Sequence, residues 1–239
     1  MSSRAEFRIS AKGLGALAMP DFCPRCFWIQ MKAEALPFQM PFPGIFNTID
    51  AYEKGLVEGW FNRHHSAPPW LAGLGKIKGS IKPPHYTKFS VRDGQSGVIL
   101  RGTPDGILEM EGGSYAIFDF KTAKFTEKQD ELFPMYEVQL NAYAFIGERN
   151  GLSPVSKLAL IYAEPVADPR AAQDESNMTP EGFQMGFAAK ILSVEIQSEL
   201  VRELLQKTAK ILTSSSPPLG LDGCENCAAI ASLIKAAKS

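Results

Sequence analysis

Residues 101–124 constrain the fold of this chain more than any other segment, because they predict two strands joined by a turn. Apolar residues predominate in 98–101 and 107–110, and a Gly-Gly pair then breaks the chain. Residues 115–120 follow as a second apolar-rich strand. The chain is therefore organised around a predicted β-hairpin.

Two acidic residues and one lysine lie at informative positions of this hairpin. Asp105 belongs to a Gly-Thr-Pro-Asp-Gly kink, and Asp119 follows fourteen positions later, near the end of the second strand. Lys121 comes two positions after Asp119, and side chains alternate between the two faces of a strand. The sequence therefore predicts a carboxylate and an ammonium group side by side, with Asp105 close by on the neighbouring strand or its kink.

This arrangement suits metal-dependent cleavage of phosphodiester bonds. Mg²⁺ prefers carboxylate oxygens and keeps several water ligands, and a bound metal ion polarises a phosphate and lowers the pKa of its water. A lysine beside the ion stabilises developing negative charge or orients the nucleophile. The alternative is a surface hairpin whose strand end carries an Asp–Lys ion pair of nearly neutral energy. The coincidence of a Pro-Asp kink, an apolar strand and Asp-x-Lys favours the metal site.

The same residues resemble the PD-(D/E)XK nuclease superfamily. Pro104-Asp105 is followed by thirteen residues and then by Asp-Phe-Lys, and Gln139 and Tyr143 farther on look like the Gln-x-x-x-Tyr helix motif of RecB-type nucleases. The resemblance spans about 102–143. It implies a restriction-endonuclease-like α/β core, in which a mixed sheet is flanked by helices.

The resemblance also implies roles for these residues. Asp105, Asp119 and the backbone carbonyl of Phe120 would bind Mg²⁺ or Mn²⁺, and Lys121 would position the attacking water or stabilise charge on the phosphate. Gln139 and Tyr143 would face the active site or the DNA.

A helix ahead of the hairpin is expected to complete the metal site. Apolar residues recur at helical spacing within 45–63; they are Ile45, Ile49, Tyr52, Leu56 and Trp60. RecB-type nucleases usually carry a further His or Glu ligand on such a helix. The candidates here are Glu58, His64 and His65, of which Glu58 and His64 lead, and the sequence does not choose between these two.

All four cysteines of the chain fall into two Cys-x-x-Cys pairs, Cys23 with Cys26 and Cys224 with Cys227. Two such pairs predict a four-thiolate metal site that joins helical N- and C-terminal parts. The spacing fits zinc or an iron–sulfur cluster. The chain is similar to CRISPR-adaptation exonucleases that hold a 4Fe-4S cluster, which favours the cluster. Those proteins have one cysteine before the core and three after it, so zinc stays the alternative.

Nucleic acid binding has to be local, because the formal net charge is only −1. Arg101 and Lys124 are candidates to hold phosphates beside the site, and Lys76 and Lys78 are candidates in a lysine-bearing segment before the hairpin. The alternative for the latter pair is a solvated edge that discourages aggregation.

The chain of 239 residues is expected to form one nuclease domain. Its catalytic core is predicted at about 86–195, and its cysteine-bearing flanks at about 1–40 and 214–239. The core is expected to continue through a helix at 133–150 and a strand at 155–163, and a helix at 193–212 is expected after it. The sequence contains no apolar stretch long enough for a transmembrane helix and no apolar signal core near Met1, so we expect a cytoplasmic protein.

The expected function is metal-dependent hydrolysis of DNA, as an exonuclease on DNA ends or single strands in recombination, repair or CRISPR adaptation. DNA is the expected partner, together with a helicase or CRISPR-adaptation proteins. The alternative is a non-catalytic nucleic-acid-binding or scaffold module on the same fold. A further alternative is a zinc-structured adaptor in which the acids are incidental.

Overall fold

The structure is a computed structural model that describes residues 6–34, 41, 43–126 and 131–238. Its strands are β1 (Arg8–Ser10), β2 (Ile77–Ile81), β3 (Ser90–Arg92), β4 (Ile99–Arg101), β5 (Gly106–Met110), β6 (Tyr115–Lys121), β7 (Val155–Pro165), β8 (Met178–Thr179), β9 (Gly182–Phe183) and β10 (Phe187–Val194). Its α-helices are α1 (Ala11–Gly15), α2 (Pro24–Lys32), α3 (Gly44–His64), α4 (Phe133–Arg149), α5 (Pro169–Gln173), α6 (Ser198–Leu212) and α7 (Glu225–Ala236). Parts of the predicted N-terminal flank, 1–5 and 35–40, lie outside the described residues.

The central element is a five-stranded mixed sheet in the order β10-β7-β6-β5-β2. The predicted hairpin forms its middle: β5 and β6 pair antiparallel, and Gly112 and Gly113 turn the chain with φ of 103° and 83°. Strands β6 and β7 pair parallel, which requires a crossover connection, and α4 supplies it. The predicted α/β class and the mixed sheet flanked by helices are therefore confirmed.

The two faces of the sheet pack against different helices. On β6, Ile117 belongs to a core cluster shared with α1, α4 and α6, whereas Phe118 and Phe120 belong to a second cluster with Val57 of α3. This alternation follows from the two-residue period of a strand. Asp119 and Lys121 continue the row of Ile117, so their side chains emerge on the face that α4 covers.

A smaller three-stranded sheet, β1-β4-β3, lies beside the core. Its strand β4 pairs parallel with β1 and antiparallel with β3. Helix α1 follows β1 and packs closely on α4: a Cβ at Gly15 would lie 2.3 Å from the backbone oxygen of Met135. This close approach ties the N-terminal segment to the crossover helix.

Three sequence expectations differ from the structure. The helix expected from 193 begins at Ser198, because 193–194 still pair with β7 as the end of β10. The lysine-bearing segment 73–95 is predicted from its Gly, Lys and Pro content to be a loop that leads into a strand at about 86–91, whereas the structure places the edge strand β2 within it and begins β3 only at Ser90. The helix at 45–63 exists as α3, but most of its predicted apolar stripe faces solvent, with Tyr52 63% exposed. None of the described helices is both long and apolar enough to cross a membrane.

Candidate active site

The stagger between β5 and β6 creates the site. Strand β5 begins at Gly106, which pairs with Phe118, so the last residues of β6 extend beyond their antiparallel neighbour. The backbone N–H of Phe120 on this open edge donates to Asp105 Oδ2 at 2.7 Å. The Pro-Asp kink therefore places one carboxylate directly over the end of β6.

The face of β6 that α4 covers carries a buried polar network. Lys121 Nζ donates to Asp119 Oδ2 and to Gln139 Oε1, the latter at 3.2 Å. Gln139 Nε2 in turn donates to Asp119 Oδ1 at 3.4 Å and to the Tyr143 hydroxyl at 2.9 Å. Lys121 also lies 4.1 Å from the centre of the Tyr136 ring. Helix α4 therefore brings the Gln and Tyr of its motif to the acid and the lysine of β6.

Helix α3 contributes a third carboxylate that the sequence did not reveal. Glu53 is only 7% exposed, and its Oε1 accepts from the Thr122 hydroxyl at 3.5 Å. Its Oε2 is buried without a hydrogen-bond partner among the described residues. An unpaired buried carboxylate oxygen is costly, which makes this atom a candidate ligand for a cation.

Lys54, the next residue of α3, already supplies one positive charge. Its Nζ lies 2.7 Å from Asp105 Oδ1 and 2.7 Å from Asp50 Oδ2. The ammonium group compensates the carboxylate of the kink as a bound cation would. The charges of the site therefore come from α3, from the Pro-Asp kink and from β6, whereas α4 contributes the uncharged Gln139 and Tyr143.

The site raises the pKa of two of its acids. Burial, and next the charge of Asp105, raise the pKa of Asp119 to about 6, although Lys121 and Lys54 oppose the change. Burial, followed by the charges of Asp50 and Asp105, raises the pKa of Glu53 to about 7. Burial also raises the pKa of Tyr143, which keeps its hydroxyl protonated. Buried carboxylates with raised pKa values cluster at functional sites, which makes these acids candidates for a role in chemistry.

These residues fit a hard divalent cation. Carboxylate oxygens are the ligands that Mg²⁺ and Mn²⁺ prefer, and the site offers three carboxylates, one of which has an oxygen without a partner among the described residues. The carboxylates of the described residues are not gathered within 4.8 Å of one another, as the four cysteines are. Asp105 and Asp119 each bond a lysine instead.

The two helical ligand candidates occupy different positions from Glu53. Glu58 is exposed on α3 and lines a cavity that also borders Asp105. His64 is exposed at the end of α3 and stacks on Trp60 with ring centres 4.2 Å apart. It lies eleven residues beyond Glu53, about 16 Å along a helix. We call Asp105, Asp119 and Glu53 the acidic cluster. Neither Glu58 nor His64 bonds to it in the described contacts, whereas Glu53 bonds to Thr122, the residue after Lys121.

A signal for Glu53 was present in the sequence. Ile49, Glu53 and Val57 recur every four residues, so they share one face of the helix. An acid in register with two β-branched residues is a candidate for a buried functional group. The row through Tyr52 is more apolar, so the sequence pattern predicts that row, and not the row with Glu53, as the buried face.

The candidate phosphate-binding residues are scattered. Arg101 ends β4 and stacks over Tyr86 at 5.4 Å, and Lys124 is exposed three residues beyond Lys121. Lys76 and Lys78 lie on the sheet edge and pair with glutamates on or next to β5, the closer pair at 2.5 Å. Arg101 and Lys124 thus stay near the hairpin end, and the other two are engaged at the solvated edge.

The four cysteines meet as the sequence predicts. Cys23 Sγ lies 3.5 Å from Cys227 Sγ, and Cys26 Sγ lies 3.5 Å from Cys227 and 3.7 Å from Cys224. All four sulfur atoms lie within 4.8 Å of one another. The group could therefore bind a metal, and it joins the start of α2 to the start of α7.

A mixed α/β sheet with acids and a lysine at the end of its central hairpin defines a nuclease core. The family model for the PD-(D/E)XK nuclease superfamily matches residues 46–232, and the chain belongs to that superfamily. No curated protein matches the chain. A solved structure described as "Crystal structure of SSO0001" shares 14% identity over 90% of this chain and 81% of that chain, with a TM-score of 0.44.

Proposed function

We propose that this protein is an Mg²⁺- or Mn²⁺-dependent deoxyribonuclease. The observation that carries the proposal is the buried Glu53 oxygen that has no partner among the described residues, on the helix whose Lys54 bonds Asp105. A purely structural cluster would pair that oxygen with a donor, since unsatisfied buried polar groups are rare in native proteins. Membership of a nuclease superfamily supports the same reading.

Each side chain has a role in such a reaction. Asp105, Asp119, Glu53 and the Phe120 carbonyl would hold the cation. A bound divalent ion supplies Lewis acidity and lowers the pKa of water at neutral pH. Lys121, held between Asp119 and Gln139, keeps its ammonium group next to the scissile phosphate and stabilises the charge that develops there. Gln139 and Tyr143 fix the orientation of Asp119 and Lys121 from α4.

An exonuclease on DNA ends or single strands is the finer form of this proposal, in recombination, repair or CRISPR adaptation. Its support is the Gln-x-x-x-Tyr helix, which resembles RecB-type nucleases and lies against the acids. DNA is the proposed substrate, with a helicase or CRISPR-adaptation proteins as proposed partners. The single domain and the cytoplasmic location stay predictions.

The test is cleavage of end-labelled single- and double-stranded DNA with Mg²⁺, with Mn²⁺ and with a chelator. We expect wild-type cleavage to require the ion, and Asp119→Asn to lose at least about 100-fold in rate because it removes a ligand charge. The matched control Glu203→Gln changes an exposed acid of α6, away from the site, and is expected to cleave normally. Undiminished cleavage by Asp119→Asn contradicts the assignment. DNA binding by a wild-type protein that cleaves nothing would support the non-catalytic module instead.

The spacing of the cysteine sulfurs favours zinc over an iron–sulfur cluster. Four sulfurs at 2.3 Å from one tetrahedral ion lie about 3.8 Å from each other, close to the 3.5 and 3.7 Å observed. In a 4Fe-4S cluster each thiolate binds its own iron, so the sulfurs must stand farther apart. We therefore infer that one zinc ion joins the two Cys-x-x-Cys pairs.

Metal analysis of anaerobically purified protein tests this inference. We expect about one zinc per chain and a colourless protein, and we expect Cys26→Ser to lose the zinc. Iron and inorganic sulfide in equal amounts, with broad visible absorbance, would establish the cluster instead. This result is independent of the nuclease assay, because the cysteines lie outside the acidic cluster.

A further inference from the structure

A cavity of about 330 Å³ adjoins the acidic cluster on the face of the sheet that α3 covers. It is bounded by α3, by the edge strand β2 and by the segment that leads into β5. Asp105, which bonds the end of β6, forms part of its wall. A ligand in this cavity would therefore lie next to Asp105, one of the proposed ligands of the cation.

The cavity exists because α3 packs loosely on the sheet. Only Glu53 and Val57 are buried along its twenty-one residues. The small contact at Val57 leaves space between the helix and β2, which none of the described residues fills. A cleft of this size beside reactive side chains is the usual setting of a ligand site.

The walls of the cavity suit a flat aromatic ring with polar edges. Phe61, Phe118 and Phe120 supply ring surfaces, and Asn62, Ser80 and Thr103 supply amide and hydroxyl groups. Aromatic walls stack on bases of any sequence, and amide and hydroxyl groups bond to base edges. Lys82 lines the same cavity and is exposed, where a neighbouring phosphate would pass.

The size limits what can enter. Ligand pockets typically measure about 300–1,000 Å³, so this one has room for a single base and not for a base pair. A base inside a duplex is stacked on both faces and paired at its edge, and it reaches such a pocket only when it leaves the stack.

We propose that this cavity accepts one unpaired nucleobase, adjacent to the phosphate that would lie on the cation held by Asp105 and Asp119. The substrate is then a single strand or an unpaired end. This inference rests on the proposed nuclease function, and it adds a base-binding subsite to the phosphate-binding one. Phe61 holds the base by stacking and takes no part in the chemistry.

Abasic substrates test the subsite. Wild type is expected to cleave the bond next to a single abasic residue about 5- to 100-fold more slowly than the same bond next to a base, the range for loss of one stacked base. Phe61→Ala is expected to cleave both at equal rates. The matched control Trp60→Ala changes the adjacent aromatic residue, which does not line the cavity, and is expected to keep the discrimination. Equal cleavage of both substrates by wild type overturns the subsite and leaves the nuclease proposal standing.

A binding experiment keeps the two proposals separate. Thymidine 5′-phosphate and 2-deoxyribose 5-phosphate are compared by saturation-transfer NMR with Ca²⁺ in place of Mg²⁺. We expect transfer to the thymine protons in wild type and its loss in Ser80→Phe, which fills the cavity from an exposed position without removing a core side chain. Absence of transfer in wild type rejects the subsite. Transfer in a protein that cleaves no DNA supports the subsite and rejects the nuclease.

Discussion

Replacing Glu53 with glutamine tests the electrostatic cost of the acidic cluster. The fold raises the pKa of Glu53 from its ordinary 4.5 to about 7, because the side chain is buried near Asp50 and Asp105. Between these two pH values the folded protein binds a proton that the unfolded chain has released, so stability falls as the pH rises through this window. Below pH 4.5 both states are protonated and the penalty is absent.

The size of the effect follows from the pKa difference. Each unit of pKa corresponds to about 1.4 kcal/mol, so the penalty is at most about 3.5 kcal/mol once Glu53 is fully ionised, above pH 7. Glutamine has the same shape and no charge. In a chelator at pH 8, Glu53→Gln should therefore unfold at a temperature up to about 7–14 °C above wild type. At pH 4.5 the two midpoints should coincide.

Thermal unfolding followed by circular dichroism across pH 4.5–8.5 measures this difference directly. Glu58→Gln is the control, since an exposed acid on the same helix should change stability by no more than about 0.5 kcal/mol. Adding Mn²⁺ should stabilise wild type more than Glu53→Gln, because the variant lacks the ligand oxygen. Parallel curves for wild type and Glu53→Gln across the whole pH range would refute the reasoning.

Three further substitutions test the packing and the charges around the site. Gly106→Ala places a Cβ 2.0 Å from the Phe118 ring, so thermal unfolding should show a loss of about 3 kcal/mol or more, and an unchanged midpoint would contradict this packing. Gly59→Ala meets nothing within 4 Å and lies inside a helix, so the same measurement should show a gain of about 0.5–1 kcal/mol, and a loss would count against the solvent-facing placement. Lys54→Met frees Asp105 from its ammonium partner, and calorimetric Mn²⁺ titration should show up to about fivefold tighter binding, since partly exposed ion pairs contribute about 1 kcal/mol at most. Weaker binding by that variant would instead make Lys54 a supporting residue of the metal site.

Local periodicity explains why the hairpin and its acids could be predicted. The two-residue period of β6 fixes Asp119 and Lys121 on one face, and no long-range information is needed for that. Gln139 and Tyr143 share a helix face for a similarly local reason, and the parallel pairing of β6 with β7 then brings that face to the acids. The pairing of cysteines in the sequence likewise predicted a shared site.

The sequence could not predict which face of α3 is buried, because it offers two rows of apolar residues on different faces. The row through Tyr52 and Leu56 is the more hydrophobic, yet the structure buries the row that contains Glu53 and Val57. Adjacent positions differ by about 100° around a helix, so the choice between rows depends on which one the sheet accepts. The sheet accepts the row with Glu53, and an acidic residue therefore reaches the end of the hairpin.

The attachment of α7 has a consequence for how the carboxyl terminus responds to its surroundings. None of its twelve residues is buried, and the helix begins at the second cysteine pair. Coordination chemistry, more than burial of apolar surface, therefore anchors this end of the chain. A strong chelator should make α7 sensitive to a protease while the sheet and its acids stay folded. The rate of proteolysis at α7 therefore reports whether the four cysteines hold a metal ion.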